Sequence, residues 1–144
     1  MEKPCHSRRA AARQQVVLVV EDEILVRLTI ADYLRDAGYA VVEAATAIEA
    51  LEVFASDEPV DVIFTDVQMP GAMDGLMLVR WVHEHHPGTQ VLVTSGNGDA
   101  ALSAGLIPYD AFFSKPYPIE EVANRICSLI GPNKTELRAE PLKP

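Results

Sequence analysis

Four apolar stretches in this chain each run into polar or charged residues. Val16–Val20 leads into Glu21 and Asp22, residues 60–65 into Asp66, residues 91–93 into Thr94, and residues 111–114 into Lys115. If these stretches are strands of one open parallel sheet, their carboxyl ends converge on a single crevice, where ligands of such sheets bind. Three carboxylates gathered there repel one another unless a cation joins them. Hard oxygen ligands that leave room for water suit Mg2+, which seldom takes an all-protein cage, with Mn2+ as a substitute. Lys115 adds a mobile point charge that can reach a phosphoryl oxygen. Thr94, followed by Ser95 and Gly96, adds a hydroxyl at an open loop. Each residue alone has a plainer role. Glu21, Asp22 and Glu23 complement a helix N-terminus, Lys115 neutralises Asp66, and Thr94 ends a strand. Together they suit Mg2+ plus a phosphoryl group.

Positioning these groups takes alternating strands and helices, and the pattern supplies five of each. The β-branched-rich run Val16–Val20 reads as a strand buried on both faces. Ile24, Leu28, Ala31 and Leu34 then recur at helical spacing, with Gly38 placed to end the helix. Residues 40–43 form a second strand, and Thr46 with Glu49 forms a capping box for a helix whose inner face is Ala47, Leu51 and Phe54. Residues 60–66 are the third strand, and residues 68–75 (QMPGAMDG) are loop. A helix facing inward through Leu78, Val79 and Val82 stops at Pro87 and Gly88. Residues 90–94 are the fourth strand, a short glycine-flanked helix follows Gly98, and residues 110–114 are the fifth strand. The last helix starts near Pro118 and buries Ile119, Val122, Ile126 and Leu129. Strict alternation with short connections predicts a doubly wound α/β fold, a parallel sheet covered on both faces.

Composition narrows the function. The chain has 144 residues, 49% hydrophobic and 23% charged, as in an ordinary soluble domain. No apolar run reaches the roughly 20 residues that span a bilayer, and the charged start without a hydrophobic h-region is not expected to act as a signal peptide. Cys5 and Cys127 give no disulfide framework, which fits a reducing cytoplasm. Seven of the 12 basic and three of the 21 acidic residues lie in segments 1–14 and 132–144, so residues 15–131 carry 5 basic and 18 acidic, a net of −13. So acidic a body does not bind nucleic acid through its surface. The expected organisation is a basic N-terminal tail (1–14), one domain (15–131) and a C-terminal tail (132–144). Neither tail is long enough to be an output domain.

Taken in order and spacing, Glu21-Asp22, Asp66 in FTDVQMPGAMDG, Thr94 in VTSG and Lys115 in FFSKP resemble the receiver domain of bacterial two-component response regulators, over about residues 15–131. The resemblance implies a flavodoxin-like fold of five strands in the order 2-1-3-4-5. It also implies that Asp66 accepts a phosphoryl group from a phosphohistidine on a sensor histidine kinase or histidine phosphotransfer protein. Asp22, Asp66 and the backbone carbonyl of Gln68 would hold Mg2+, Glu21 would join directly or through water, and Thr94 and Lys115 would bind the phosphoryl oxygens. The family's switch aromatic falls at Phe112, where tyrosine is commoner, and Phe112 cannot donate a hydrogen bond. Lys115-Pro116 matches a bond that is cis in the family. With no DNA-binding or membrane segment, output would pass to a downstream protein or through a homodimer formed on phosphorylation. Such a module is no enzyme toward other substrates; it catalyses only its own phosphoryl acceptance and loss.

A haloacid-dehalogenase-like phosphatase is the rival reading, but it expects a second aspartate two residues after the nucleophile, where this chain has Gln68. A pseudo-receiver that binds without phosphorylation would lack one of the five positions, and none is missing. No Walker-type phosphate loop occurs. His83, His85 and His86 fit a helix C-terminus better than a metal site, and Trp81, Met69, Met73 and Met77 read as packing residues.

Overall fold

The computed structural model describes residues 13–96 and 111–131. The elements are β1 (Val16–Val20), α1 (Ile24–Asp36), β2 (Ala40–Ala44), α2 (Ala47–Ala55), β3 (Val62–Asp66), α3 (Gly75–His85), β4 (Gln90–Ser95), β5 (Phe112–Ser114) and α4 (Ile119–Ile130). Every strand pair is parallel, and the order is β2-β1-β3-β4-β5. This is the expected doubly wound sheet in the expected order. The short helix expected after Gly98, Asp110 at the start of the fifth strand, and most of both tails lie outside the described residues.

The continuous apolar strands arise because the sheet is covered on both faces. Alternate residues of β1 serve opposite cores, since successive strand side chains point to opposite faces. Val17 and Val19 pack with Ile30 and Leu34 of α1 and Val122 and Ile126 of α4, whereas Leu18 and Val20 pack with Ala47, Ala50 and Phe54 of α2 and Leu78 and Val82 of α3. Burying each such Val, Leu or Ile contributes about 1.5–3 kcal/mol.

Two helical faces differ from the sequence reading. In α1 the buried residues are Ile30, Ala31 and Leu34, while Ile24 and Leu28 are 57% and 39% exposed. At 3.6 residues per turn, Leu28 falls about 100° round the helix from the centre of that stripe. In α4, Val122 and Ile126 are buried and Ile119 packs at the edge, but Ile130, which continues the stripe, packs in place of the exposed Leu129. Met69 and Met73 join the α2/α3 core, and Met77 is exposed. Two of the three histidines near the end of α3 join an aromatic group: His85 stacks on Trp81 at 4.6 Å, and His86, just past the helix, lies 4.7 Å from Phe54.

Helix ends follow their local chemistry. Gly38 takes φ 103° just past α1, a left-handed conformation that suits glycine. At α2, Thr46 Oγ1 accepts from the Glu49 N–H at 3.1 Å, and the Glu49 carboxylate reaches back to the Ala45 N–H at 2.7 Å. No helix among the described residues is long and apolar enough to cross a membrane. Thr46→Ala should cost about 1 kcal/mol, read as a lower denaturant midpoint at unchanged slope; an unchanged midpoint would mean that the cap contributes nothing.

Candidate functional site

β1 and β3 are neighbours, with Val20 level with Thr65, so the residues leaving their carboxyl ends meet. Glu21 follows β1 and Asp66 is the last residue of β3. Their residues are only 2% and 5% exposed, whereas Asp22 faces solvent. One carboxylate oxygen from each of Glu21, Asp22 and Asp66 lies within 4.8 Å of the other two. On the other side of β3, Thr94 of β4 is in register with Asp66. Ser95 is in register with Ser114 of β5, and the Lys115 N–H donates to the Ser95 carbonyl at 3.0 Å, which carries Lys115 to the same edge.

The ammonium of Lys115 donates to Asp66 Oδ2 at 2.7 Å and lies 3.6 Å from Glu21 Oε1. The other Asp66 oxygen, Oδ1, accepts from the Gln68 backbone N–H at 3.0 Å. Burial lowers the basicity of Lys115, but the Asp66 hydrogen bond and the charges of Asp66 and Glu21 more than offset this, so Lys115 titrates above an ordinary lysine. Thr94 Oγ1 is buried and has no hydrogen-bond partner among the described residues. Leaving such a group unsatisfied costs about 1–3 kcal/mol, so the site holds a polar atom ready for a ligand oxygen.

The sheet edge thus brings together Glu21, Asp22, Asp66, Thr94 and Lys115, with the Gln68 backbone beside them. Phe112 lies on β5 level with Val93, packed against Val67, Val79 and Val93. The Lys115-Pro116 peptide is cis.

Three supporting residues were missed in the sequence reading, and only one of them left a signal there. Gly75 opens α3 directly against the end of β3: a Cβ there would sit 2.0 Å from the Asp66 carbonyl oxygen, so only glycine permits the approach. The sequence reading placed Gly75 in a loop, although a glycine straight after a capping Asp74, which accepts from the Met77 N–H at 3.0 Å, is a usable hint. Tyr117 meets Phe64 edge-on at 5.8 Å beneath the site, and burial, with the charge of Glu21, pushes its hydroxyl up to about 12. Arg27 hydrogen-bonds the Glu21 carbonyl, a contact set by the turn rather than by sequence spacing.

A family model described as the response regulator receiver domain matches residues 17–127. The chain belongs to the response regulator receiver domain family. Receiver domains are signalling modules of two-component phosphorelays, as the resemblance implied. Over 133 residues the chain is 34% identical to the sensor kinase CckA of Brucella abortus, covering 90% of this chain and 14% of that one. The chemotaxis response regulator CheY4 of Vibrio cholerae superposes with a TM-score of 0.70 at 28% identity, covering 82% of this chain and 100% of that one. The response regulator TrrA of Thermotoga maritima, solved with Mg2+ and BeF, shares the fold with a TM-score of 0.70 at 22% identity, covering 81% and 100%. The chain spans only about half or less of the length of the first curated relatives it matches.

Burial, opposed by the Glu23 N–H and Lys115 and reinforced by Asp66 and Asp22, raises the Glu21 carboxyl above its ordinary 4.5. The folded receiver therefore keeps a proton that the unfolded chain releases, and stability falls as pH rises from about 4.5 through the raised folded value. In EDTA, Glu21→Gln should abolish that decline and melt above the wild type at about pH 7, checked by circular dichroism melts across the acid range. An equal or lower midpoint at neutral pH would show that Lys115 fully compensates Glu21.

Proposed function

We propose that this receiver accepts a phosphoryl group on Asp66 from the phosphohistidine of a sensor histidine kinase or histidine phosphotransfer protein, and signals through protein contacts that depend on that mark. The observation that carries the reading is the pairing of Asp66 with Lys115 at 2.7 Å beside the buried hydroxyl of Thr94, which has no partner among the described residues. The working unit is residues 15–131, to which Arg13 is tied through Asp61 at 2.8 Å, and its setting is the cytoplasm.

The donor set fits Mg2+: three convergent carboxylates, one of them exposed, leave positions for water and for a phosphoryl oxygen. Glu21, Asp22, Asp66 and the Gln68 backbone carbonyl would hold the cation. When bound, Mg2+ neutralises charge on both the carboxylate nucleophile and the incoming phosphoryl group. Asp66 Oδ2 attacks phosphorus, the phosphorus–nitrogen bond of the donor breaks, and the imidazole leaves with the bonding pair. Lys115 moves from Oδ2 to a phosphoryl oxygen, and the Gln68 N–H keeps Oδ1 in place. Thr94 donates its hydroxyl to another phosphoryl oxygen, which gives that buried group its first partner. The chain's task is positioning and charge compensation, as in phosphoryl transfer generally. Gln68, in the place of the second aspartate, argues against a phosphatase of the haloacid dehalogenase type.

As Thr94 shifts toward the phosphoryl group, Phe112 moves into the space it leaves. Phe112 is already partly buried, so its deeper burial contributes a fraction of the ~1.5–3 kcal/mol that full burial gives, which biases two states separated by a similar amount. The surface so changed serves a downstream protein or a second copy of the chain.

With acetyl phosphate and Mg2+, intact mass should show one added phosphoryl group. It should be absent in Asp66→Asn and suppressed by EDTA. Equal labelling of Asp66→Asn would move the acceptor elsewhere.

A further inference from the structure

The acidic turn after β1 must be held together before a cation arrives. Glu21, Asp22 and Glu23 are consecutive carboxylates, and Asp66 adds a fourth close by. Repulsion among them favours an open, variable turn. Yet the turn is closed by several bonds, and Arg27 supplies two of them. Its backbone N–H donates to the Glu23 carbonyl at 2.9 Å, and its Nη1 donates to the Glu21 carbonyl at 2.9 Å. The remaining bonds are Glu21 N–H to the Ala44 carbonyl at 3.0 Å and Glu23 N–H to Glu21 Oε2 at 3.2 Å.

The guanidinium is itself anchored. Its Nε donates to Glu43 Oε1 on β2 at 3.2 Å, with side-chain exposures of only 15% and 22%. The other Glu43 oxygen is taken by Arg35 Nη2 at 3.0 Å, and Arg35 also donates to the Val41 carbonyl at 3.1 Å. Glu43 is thus held from both sides, and Arg27 is braced against the edge strand while it grips the turn.

We infer that Arg27 is a positioning residue that preorganises Glu21 and Asp22 for the cation, by hydrogen-bonding the Glu21 carbonyl while Glu43 fixes its guanidinium. The inference rests on the reading of Glu21, Asp22 and Asp66 as cation ligands. Charge alone argues for the opposite effect: a guanidinium near the site repels Mg2+, so its removal should tighten binding. Positioning predicts that its removal weakens binding, because ordering the turn then costs conformational freedom at the moment of binding. The sign of the change therefore separates the two. Lysine keeps the charge but lacks the planar fork needed to hold the Glu21 carbonyl and Glu43 together.

The test is Mg2+ titration of the full chain by calorimetry and thermal shift, for wild type, Arg27→Lys, Arg27→Gln and Arg35→Gln. Loss of an outer partner that orients a metal ligand typically weakens metal binding 10–100-fold, and both Arg27 variants should lose roughly tenfold in Mg2+ affinity. Arg35→Gln touches the same Glu43 but not the turn, and should stay within about twofold of wild type. In acetyl-phosphate labelling, the Arg27 variants should need more Mg2+ for half-maximal rate yet reach the wild-type rate at saturation. If Arg27→Gln fails to fold, Arg27→Lys carries the comparison. Unchanged or tighter Mg2+ binding in Arg27→Lys, or an equal loss in Arg35→Gln, overturns the inference. A wild type that binds no Mg2+ overturns the cation reading itself, and this inference with it.

Discussion

Glu21 and Asp66 are held at the edge of an apolar sheet, almost wholly buried, with carboxylate oxygens less than 4.8 Å apart. Two like charges 4.8 Å apart repel by roughly 3.5 kcal/mol at an effective dielectric of about 20, and by more when closer. Asp22 adds a smaller share because it faces water. Lys115 offsets part of this through its 2.7 Å bond to Asp66 and its position 3.6 Å from Glu21. One ammonium cannot neutralise three carboxylates, so the site keeps an unbalanced negative charge inside a rigid frame. Such an imbalance suits a divalent cation, and receiver domains bind Mg2+ at an acidic pocket of this kind.

The rest of the fold exists in part to sustain the arrangement. Placing β1 between β2 and β3 brings Glu21 beside Asp66, and β4 and β5 then deliver Thr94 and Lys115 from the other side. The two cores that sandwich the strands supply the apolar burial that tolerates such strain. Close fitting does the remainder. Gly75 lets α3 start against the Asp66 backbone, Tyr117 and Phe64 pack edge to face below the site, and Arg27 closes the acidic turn. The Thr94 hydroxyl, without a partner among the described residues, is a further cost in the resting state. In the proposed function these tensions are relieved together, when the cation and the phosphoryl group arrive.

Much of this was legible in the sequence, for identifiable reasons. Strands buried on both faces write themselves as continuous apolar runs, and the residue ending each run is placed by topology alone. Glu21, Asp22, Asp66, Thr94 and Lys115 could therefore be gathered from their positions, and the family match over residues 17–127 bears out the fold and family they suggested. The capping box at Thr46 and the stop at Gly38 are local chemistry and were equally readable. Faces of helices were less so. Ile24 and Leu28 share a helical stripe with Ala31, but which stripe turns inward is decided by the sheet beneath. Least legible were contacts made through backbone atoms. The hydrogen bond from Arg27 to the Glu21 carbonyl and the approach of Gly75 to the Asp66 carbonyl depend on the path of the main chain, which residue types do not encode.

The central claim is that repulsion among these carboxylates is relieved by a bound divalent cation. The most direct measurement is the melting midpoint of wild type and Asp22→Ala against Mg2+ concentration, starting from EDTA. A ligand present at 100 times its Kd stabilises the folded state by about 2.7 kcal/mol, so the wild-type midpoint should climb steadily with Mg2+. Asp22→Ala should start higher in EDTA, because one repelling charge is gone, and then fail to respond. A wild type indifferent to Mg2+, or an Asp22→Ala variant that climbs in parallel with it, would contradict the account.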